Sequence, residues 1–316
     1  MTAPPLFSVI IPVFNRADVL ATALASVLAQ TCQDFEIIVV DDGSSDDPAA
    51  IVTGFGDPRI TCVRQDNRGA GAARNRGIDL AHGRYVAFLD SDDRFLQHHL
   101  GAMARLLDGK PDTAGYARMV VDRGAGRTFL KPPRALRAGE HMANYLLCDR
   151  GFVPTITLVV PREIAARVRY DETVSFGDDK DFAIRLFLSG CAFAMTEEPG
   201  AVWKDEFDPR RLSAGRGGAS LLPWIERMRP LIPSRAYYGC RGWSIAKSVA
   251  TTSRLSALRL FLEAVFHGAY RPRMAARIFL QIFLPDRLYR RLADSTLAKP
   301  SDESSPSPRS ALKRAC

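Results

Sequence analysis

Tyr85-Val86-Ala87-Phe88-Leu89-Asp90-Ser91-Asp92-Asp93 is the stretch on which the reading of this chain turns. Its apolar run reads as a buried strand, and the run stops at three carboxylates within four positions. Carboxylates that close repel one another and stay ionised together only in water or around a shared cation. At the carboxyl end of a strand in an open α/β sheet they face the crevice where such sheets bind ligands. Asp90 and Asp92 therefore either hold a metal or solvate a turn.

Outward from that stretch, strand and helix patterns alternate. Residues 7–13, 35–40, 59–64 and 84–89 read as strands. Leu20, Leu24, Val27 and Leu28 form one apolar stripe of a helix that Asn15 is placed to cap, and 51–55 and 69–81 are further helix candidates. Strict alternation implies right-handed crossovers and a mostly parallel central sheet flanked by helices, the α/β class. Parallel strands end on one edge, so the acidic pair Asp41-Asp42 should share a crevice with Asp90 and Asp92. One acidic strand end is ordinary turn chemistry. Two at matching places favour a ligand site, and hard carboxylate oxygens suit Mg²⁺ or Mn²⁺.

Two further clusters stand out. Gly69-Ala70-Gly71-Ala72-Ala73-Arg74 nearly matches a dinucleotide fingerprint, but Arg74 replaces the glycine that lets helix pack on strand, and the motif follows the third strand. It suits a plain turn or backbone approach to a ligand, with Arg74 available for an anion. Gly177-Asp178-Asp179-Lys180-Asp181 opens a helix over 181–189, where acids complement the helix dipole and Asp181 can pair with Arg185. Residues 111–137 give no clear pattern. Residues 155–160, 192–195 and 201–203 are strand-like.

The chain has 316 residues, 47% of them hydrophobic, and a net charge of +8 that favours an anionic partner. Nucleic acid has only that charge behind it and no recognised module, so none is expected. The six cysteines show no paired spacing, which fits a reducing compartment. No signal peptide and no membrane span is read, so a cytoplasmic protein is expected. Past Trp224 the pattern turns helical. Ile278, Phe279, Ile282 and Phe283 form a stripe flanked by Arg271, Arg273, Arg277, Arg287, Arg290 and Arg291, which suits either an anionic membrane or packing within the protein. The expected organisation is a catalytic domain over 1–215, divided near residue 95, a helical region over 216–294 and a disordered tail over 295–316.

Taken together, Val9 to Arg16, Val39 to Ser44, Gly69 to Gly77, Phe88 to Asp93 and Phe176 to Leu186 resemble family 2 glycosyltransferases of the GT-A fold, in the family's order. The resemblance spans about residues 6–215. Beyond Trp224 the chain resembles bacterial exopolysaccharide glycosyltransferases with basic helical C-termini. The resemblance implies an inverting transfer from a nucleotide-sugar donor, often a UDP-sugar, to a glycan or lipid-linked acceptor at the inner face of the cell membrane. It implies that Pro12, Phe14 and Asp42 face the nucleoside base, with Asn15 also among the donor-binding residues, and that Arg74 faces the nucleotide region, Asp90 and Asp92 the Mn²⁺ or Mg²⁺, and Arg211 the diphosphate. Asp179 matches the catalytic base. Phe14 stands where the family often has Tyr, and Asp178 where it commonly has Glu. A nucleotide-sugar-binding protein without catalysis, or a nicotinamide oxidoreductase built on the Gly69 turn, are the alternative readings.

Overall fold

The computed structural model describes residues 4–124, 126–205, 221–285 and 288–289. They fall into two compact units. The first holds residues up to 136 and from 152 to 205, and the second holds 137–151 and the C-terminal helices from 221.

The first unit is built on a sheet whose order is β3-β2-β1-β4-β8-β6-β9-β5, with β7 paired to β6. Its strands are β1 (Phe7–Val13), β2 (Phe35–Asp41), β3 (Ile60–Arg64), β4 (Tyr85–Phe88), β5 (Arg94–Phe95), β6 (Thr113–Asp122), β7 (Thr128–Lys131), β8 (Val159–Pro161) and β9 (Ala192–Lys204). β3, β2, β1 and β4 are mutually parallel, as the alternation implies. The crossovers are α1 (Ala17–Leu28), α2 (Pro48–Phe55) and α3 (Ala70–Leu80). Beyond β4 the sheet is mixed. β8 runs antiparallel to both β4 and β6, while β6 and β9 are parallel to each other. Two reversals restore direction, so β6 and β9 point the same way as β1, β2 and β4, and the carboxyl ends of all five share one edge. α4 (His99–Leu107) covers β6 and β9 from one face, placing Leu100, Met103 and Leu107 in the core with Val9, Ile37 and Ala87. His99, at the start of α4, is buried with neither ring nitrogen bonded among the described residues, and burial lowers it to about 3, so the ring is neutral.

The region 111–137, without a readable pattern, is the β6–β7 hairpin. β6 is buried on both faces, which erases the alternation by which strands are recognised. The two short candidates at 192–195 and 201–203 are one strand, β9, interrupted by a shift of register opposite Ala117, Arg118 and Met119. The strand expected over 155–160 is a single 3₁₀ turn, Thr155–Thr157, followed by the short β8. α6 (Arg162–Val168) was not expected, and α7 (Asp178–Leu188) begins three residues before the expected 181. Asn15 does not cap α1. The cap position is Arg16, and the Ala17 amide is taken instead by Asp46 Oδ2 at 2.8 Å from the loop after β2. None of the described cysteines forms a disulfide.

The second unit comprises α5 (Met142–Leu147), α8 (Leu221–Met228), α9 (Ser234–Cys240), a π-helical turn at Arg241–Ile245, α10 (Ala246–Val249), α11 (Arg254–Phe266) and α12 (Pro272–Phe283). α5 lies within the range expected for the catalytic domain, yet packs against α9. The reason is shape: a Cβ on Gly239 would come within 2.4 Å of Cys148 Sγ, so only glycine admits that approach. α11 buries Ala257, Phe261 and Ala264. Leu262 and Val265 lie on its exposed side with Leu255 and Phe266. The expected boundary at 215 and the tail lie outside the described residues. Among the described residues no helix is long and apolar enough to cross a membrane.

Candidate functional site

At the carboxyl ends of β1 and β2 the backbone turns sharply. Gly43 has φ +81°, and a Cβ there would sit 2.9 Å from the Asn67 amide nitrogen, so the turn after Asp42 requires glycine. Asp41 accepts from the Ser44 amide at 2.8 Å and from Arg64 Nη1 at 2.8 Å. Asp42 is buried and accepts from the amides of Arg68 (3.0 Å) and Gly69 (2.8 Å) and from Gln65 Nε2 (2.8 Å). It thereby fixes the loop that leads into α3. Asn15, at φ 51°, receives the Ser45 amide on Oδ1 at 2.7 Å and donates its own amide to Ser44 Oγ at 3.0 Å. It thus ties the end of β1 to the loop after β2. Pro12 is half-buried beside them, whereas Phe14 is 42% exposed at the strand end.

Arg74 joins the two acidic clusters. Its side chain is 7% exposed; Nη2 donates to Asp90 Oδ1 at 2.8 Å and Nη1 to Asp178 Oδ2 at 2.7 Å, residues 16 and 104 positions away. Burial alone would lower its pKa, but the two carboxylates outweigh that and hold it above the ordinary arginine value. Its guanidinium carbon lies 5.2 Å from the centroid of the Tyr170 ring, which stacks on Phe182 at 4.0 Å. The rest of Arg74-Asn75-Arg76-Gly77 explains why α3 sits where it does. Asn75 Nδ2 donates to the Tyr170 carbonyl at 3.0 Å, and Asn75 Oδ1 accepts the Tyr170 amide at 2.8 Å. A Cβ on Gly77 would come within 2.4 Å of Ile10 Cγ2, so Gly77 is the glycine that lets helix meet strand. The close-packing glycine missing at position 74 is thus supplied three residues later.

Of the three acids after β4, each does something different. Asp90 meets Arg74. Asp92 pairs with Arg16 at the start of α1, a partner the sequence reading did not single out. Asp93 is buried and accepts the Lys204 amide at 3.1 Å, pinning the turn to β9. At α7, Asp181 is buried and accepts from Arg185 Nε at 2.8 Å and Nη2 at 2.5 Å, the expected i, i+4 pair. Asp179, in the first turn, accepts the Lys180 amide at 2.8 Å. Desolvation, reinforced by Asp178, raises its pKa above the ordinary carboxylate value despite Lys180. Arg74 thus joins Asp90 to Asp178, the neighbour of Asp179, while Asp42 orders the loop leading into the Arg74 helix and Asp92 is held by Arg16. Arg211 lies outside the described residues.

Among the described residues no three His, Cys, Asp or Glu side chains are arranged to hold a metal by themselves. The donor set nonetheless fits Mg²⁺ or Mn²⁺. Such ions are commonly held by one or two carboxylates, with substrate phosphate and water completing the shell. Asp90 and Asp92 are partly exposed, with side-chain accessibilities of 36% and 22%, and offer hard oxygens at a ligand-binding edge.

Residues 8–170 match the profile of glycosyl transferase family 2. The amylovoran biosynthesis glycosyltransferase AmsB of Erwinia amylovora is 34% identical over 253 residues, which is 76% of this chain and 83% of AmsB. Of several longer glycosyltransferases of Rickettsia the chain spans a third of the length or less. Among solved structures, S. aureus TarS 1–349 in complex with UDP-GlcNAc superposes with a TM-score of 0.62 at 18% identity, covering 96% of this chain and 94% of TarS 1–349. The mannosyltransferase PcManGT from Pyrobaculum calidifontis, solved with GDP-Man and Mn²⁺, gives 0.51 at 18%, covering 94% and 89%. The two structures support the fold alone. The sequence match, covering the acidic ends of β2 and β4 and the Arg74 helix between them, makes this chain a glycosyltransferase of family 2, built on the GT-A fold.

Proposed function

We propose that this chain transfers a sugar, with inversion, from a nucleotide-sugar to a hydroxyl of a lipid-linked or growing surface polysaccharide. The donor is in the first instance a UDP-sugar. The observation that carries the reading is the Arg74 bridge, which ties a metal-type carboxylate at the end of β4 to the helix start that presents Asp179. The exposed Phe14 ring suits stacking on a nucleoside, beside Pro12 and Asn15. Asp42 orders the adjacent 65–69 loop, and Arg74 acts on the nucleotide region through the carboxylates it holds. Asp90 and Asp92 would hold Mn²⁺ or Mg²⁺, with Asp92 the more direct ligand; the ion, when bound, neutralises charge building on the leaving diphosphate. Arg211 is proposed for the diphosphate as well.

The acceptor oxygen attacks the anomeric carbon as the bond from that carbon to the diphosphate oxygen breaks, and the bonding pair leaves with the diphosphate. The hydroxyl proton passes to the Asp179 carboxylate, whose raised pKa makes it a better base than an ordinary aspartate. No covalent sugar–enzyme intermediate is needed. AmsB, a biosynthesis glycosyltransferase by name, supports the polysaccharide assignment. The test is a panel of nucleotide-sugars scored by released nucleotide, with membrane extract as acceptor and with Mn²⁺, Mg²⁺ or chelator. Asp92→Ala should reduce turnover about a hundredfold, the scale of losing one charge-stabilising group. Undiminished turnover in Asp92→Ala and in chelator would remove the metal from the proposal. Calorimetric binding of a nucleotide-sugar with no turnover on any acceptor would favour a binding protein instead.

We also propose that the second unit meets the anionic inner face of the cell membrane. On α11, Leu255 and Phe266 are 82% and 88% exposed, and Leu262 lies between them. Arg254, Arg259, Arg273 and Arg277 on α11 and α12 add positive charge. Arg287, Arg290 and Arg291 lie outside the described residues. Co-sedimentation with phosphatidylglycerol vesicles should fall when Leu255 and Phe266 are both changed to Ser. Equal sedimentation of the two proteins would refute this face.

A further inference from the structure

Helix chemistry gives Arg16 no reason to stand at the start of α1. It is the cap residue of that helix, and a helix N-terminus favours acids and disfavours cations. The Ala17 amide is served by Asp46 instead. The partner of Arg16 is distant: its Nη1 pairs with Asp92 Oδ2, 76 positions along the chain. The two side chains are only 11% and 22% exposed. A residue that breaks a local preference without a local gain marks a functional or strained place. The backbone before it is fixed as well. Asn15, at φ 51°, is bonded to Ser44 and Ser45, so the segment that carries Arg16 is tied to the loop after β2.

The pairing repeats a pattern. Asp90 meets Arg74 through Oδ1 and Asp92 meets Arg16 through Oδ2, so each carboxylate proposed for the cation already faces a guanidinium. The two arginines are fixed differently. Arg74 is shared between Asp90 and Asp178 and lies over the Tyr170 ring. Arg16 reaches from the start of α1 to the turn after β4, with Asn15 and Phe14 just before it. A guanidinium and a divalent ion on one carboxylate repel each other at close range. A diphosphate offers the guanidinium another seat, because its fork matches phosphate oxygens as well as carboxylates. Whatever Asp92 holds is one contact away from Arg16.

We propose that Arg16 is a counter-ion that Asp92 exchanges for the divalent cation, its guanidinium then taking a phosphate oxygen of the donor's diphosphate. The exchange makes cation and donor bind together rather than the cation alone. This inference rests on the reading of Asp92 as a metal ligand and gives Arg16 a role in the same donor site. The test is binding to the full chain without turnover. Mn²⁺ alone is followed by the electron paramagnetic resonance of the free ion. UDP and GDP are titrated calorimetrically in chelator, and the tighter of the two is the probe. Arg16→Met keeps much of the side-chain length and removes the charge. It should bind Mn²⁺ about tenfold more tightly than wild type and the nucleotide about tenfold more weakly, the scale of one hydrogen bond to a charged group. Arg16→Gln, which can still bond Asp92 without the charge, should behave the same way and serves if Arg16→Met is unstable. Arg16→Lys should return both affinities toward wild type. An arginine that only braced Asp92 would move Mn²⁺ in the opposite direction, since losing the brace on a ligating carboxylate weakens the ion about 10–100-fold. Unchanged or weaker Mn²⁺ binding in the neutral variants, or unchanged nucleotide binding, overturns the exchange and leaves Asp92 as a metal ligand. If Asp92→Ala binds Mn²⁺ as wild type does, the metal reading fails and the exchange with it. If wild type binds neither nucleotide, the donor-site reading itself fails, and the exchange with it.

Discussion

Asp179→Asn is expected to lower sugar transfer by about 10²–10⁴-fold, the usual contribution of a positioned general base, while donor binding stays within a factor of two or so. Asparagine keeps the shape and the acceptor oxygen that receives the Lys180 amide, but it cannot take a proton. The fold should not suffer. A carboxyl whose pKa is raised in the folded protein is one whose ionised form is disfavoured there. The folded state binds that proton more tightly than the unfolded state, so above the folded pKa the ionised group opposes folding. Removing the charge relieves that opposition, so thermal unfolding at pH 7 should occur at the same or a higher temperature. The same raised pKa places the acid limb of the wild-type rate profile above the ordinary aspartate range, because the base works only when ionised. Transfer by Asp179→Asn at more than a tenth of the wild-type rate would remove Asp179 from the base role.

Arg74→Met should be the most destabilising single change in the site, costing about 3 kcal/mol, the lower end of what breaking a buried ion pair costs. The lower end applies because Asp90 and Asp178 are 36% and 27% exposed and can be rehydrated once the guanidinium is gone. Methionine fills the volume against Tyr170 but leaves two carboxylates without their shared counter-charge. Arg74→Lys should recover only part of the loss, since a single ammonium lacks the fork that spans both acids. Denaturant unfolding distinguishes the three proteins. Equal midpoints for Arg74→Met and wild type would mean that the bridge contributes nothing net to stability.

How much of this was legible in sequence follows from where each residue's partners lie. β1 to β4 were readable because their helices and strands alternate and each buries its own pattern locally. The acidic ends of β2 and β4 were readable for the same reason, being breaks in an apolar run. β6 and β9 were not, because a strand buried on both faces loses its period of two and a register shift hides continuity. Arg16 opposite Asp92, and Asn75 against the Tyr170 backbone, are pairings across long separations that no local pattern announces. Asp93 shows the opposite case. In sequence it is one more carboxylate of the cluster with no role of its own, whereas its geometry makes it the anchor of a turn. Asn15 has a similar history: its position before α1 suggests a cap, and the positive φ turns its side chain to another loop.

The Arg74 bridge also bears on the order of events during synthesis. A chain emerging from the ribosome completes β1 to β4 and α3 long before α7, and at that stage Arg74 has met only Asp90. Sealing a guanidinium with half its counter-charge missing is unfavourable. The surroundings of Arg74 are therefore complete only once residue 178, 104 positions away, has arrived. β6 must likewise wait for β9, since Thr113 pairs with Ala192. Such distant pairings raise contact order and slow the search for the native state. They also couple maturation to completeness: a nascent or truncated protein ending before α7 would carry the nucleotide motifs without an assembled site in which to spend a donor sugar.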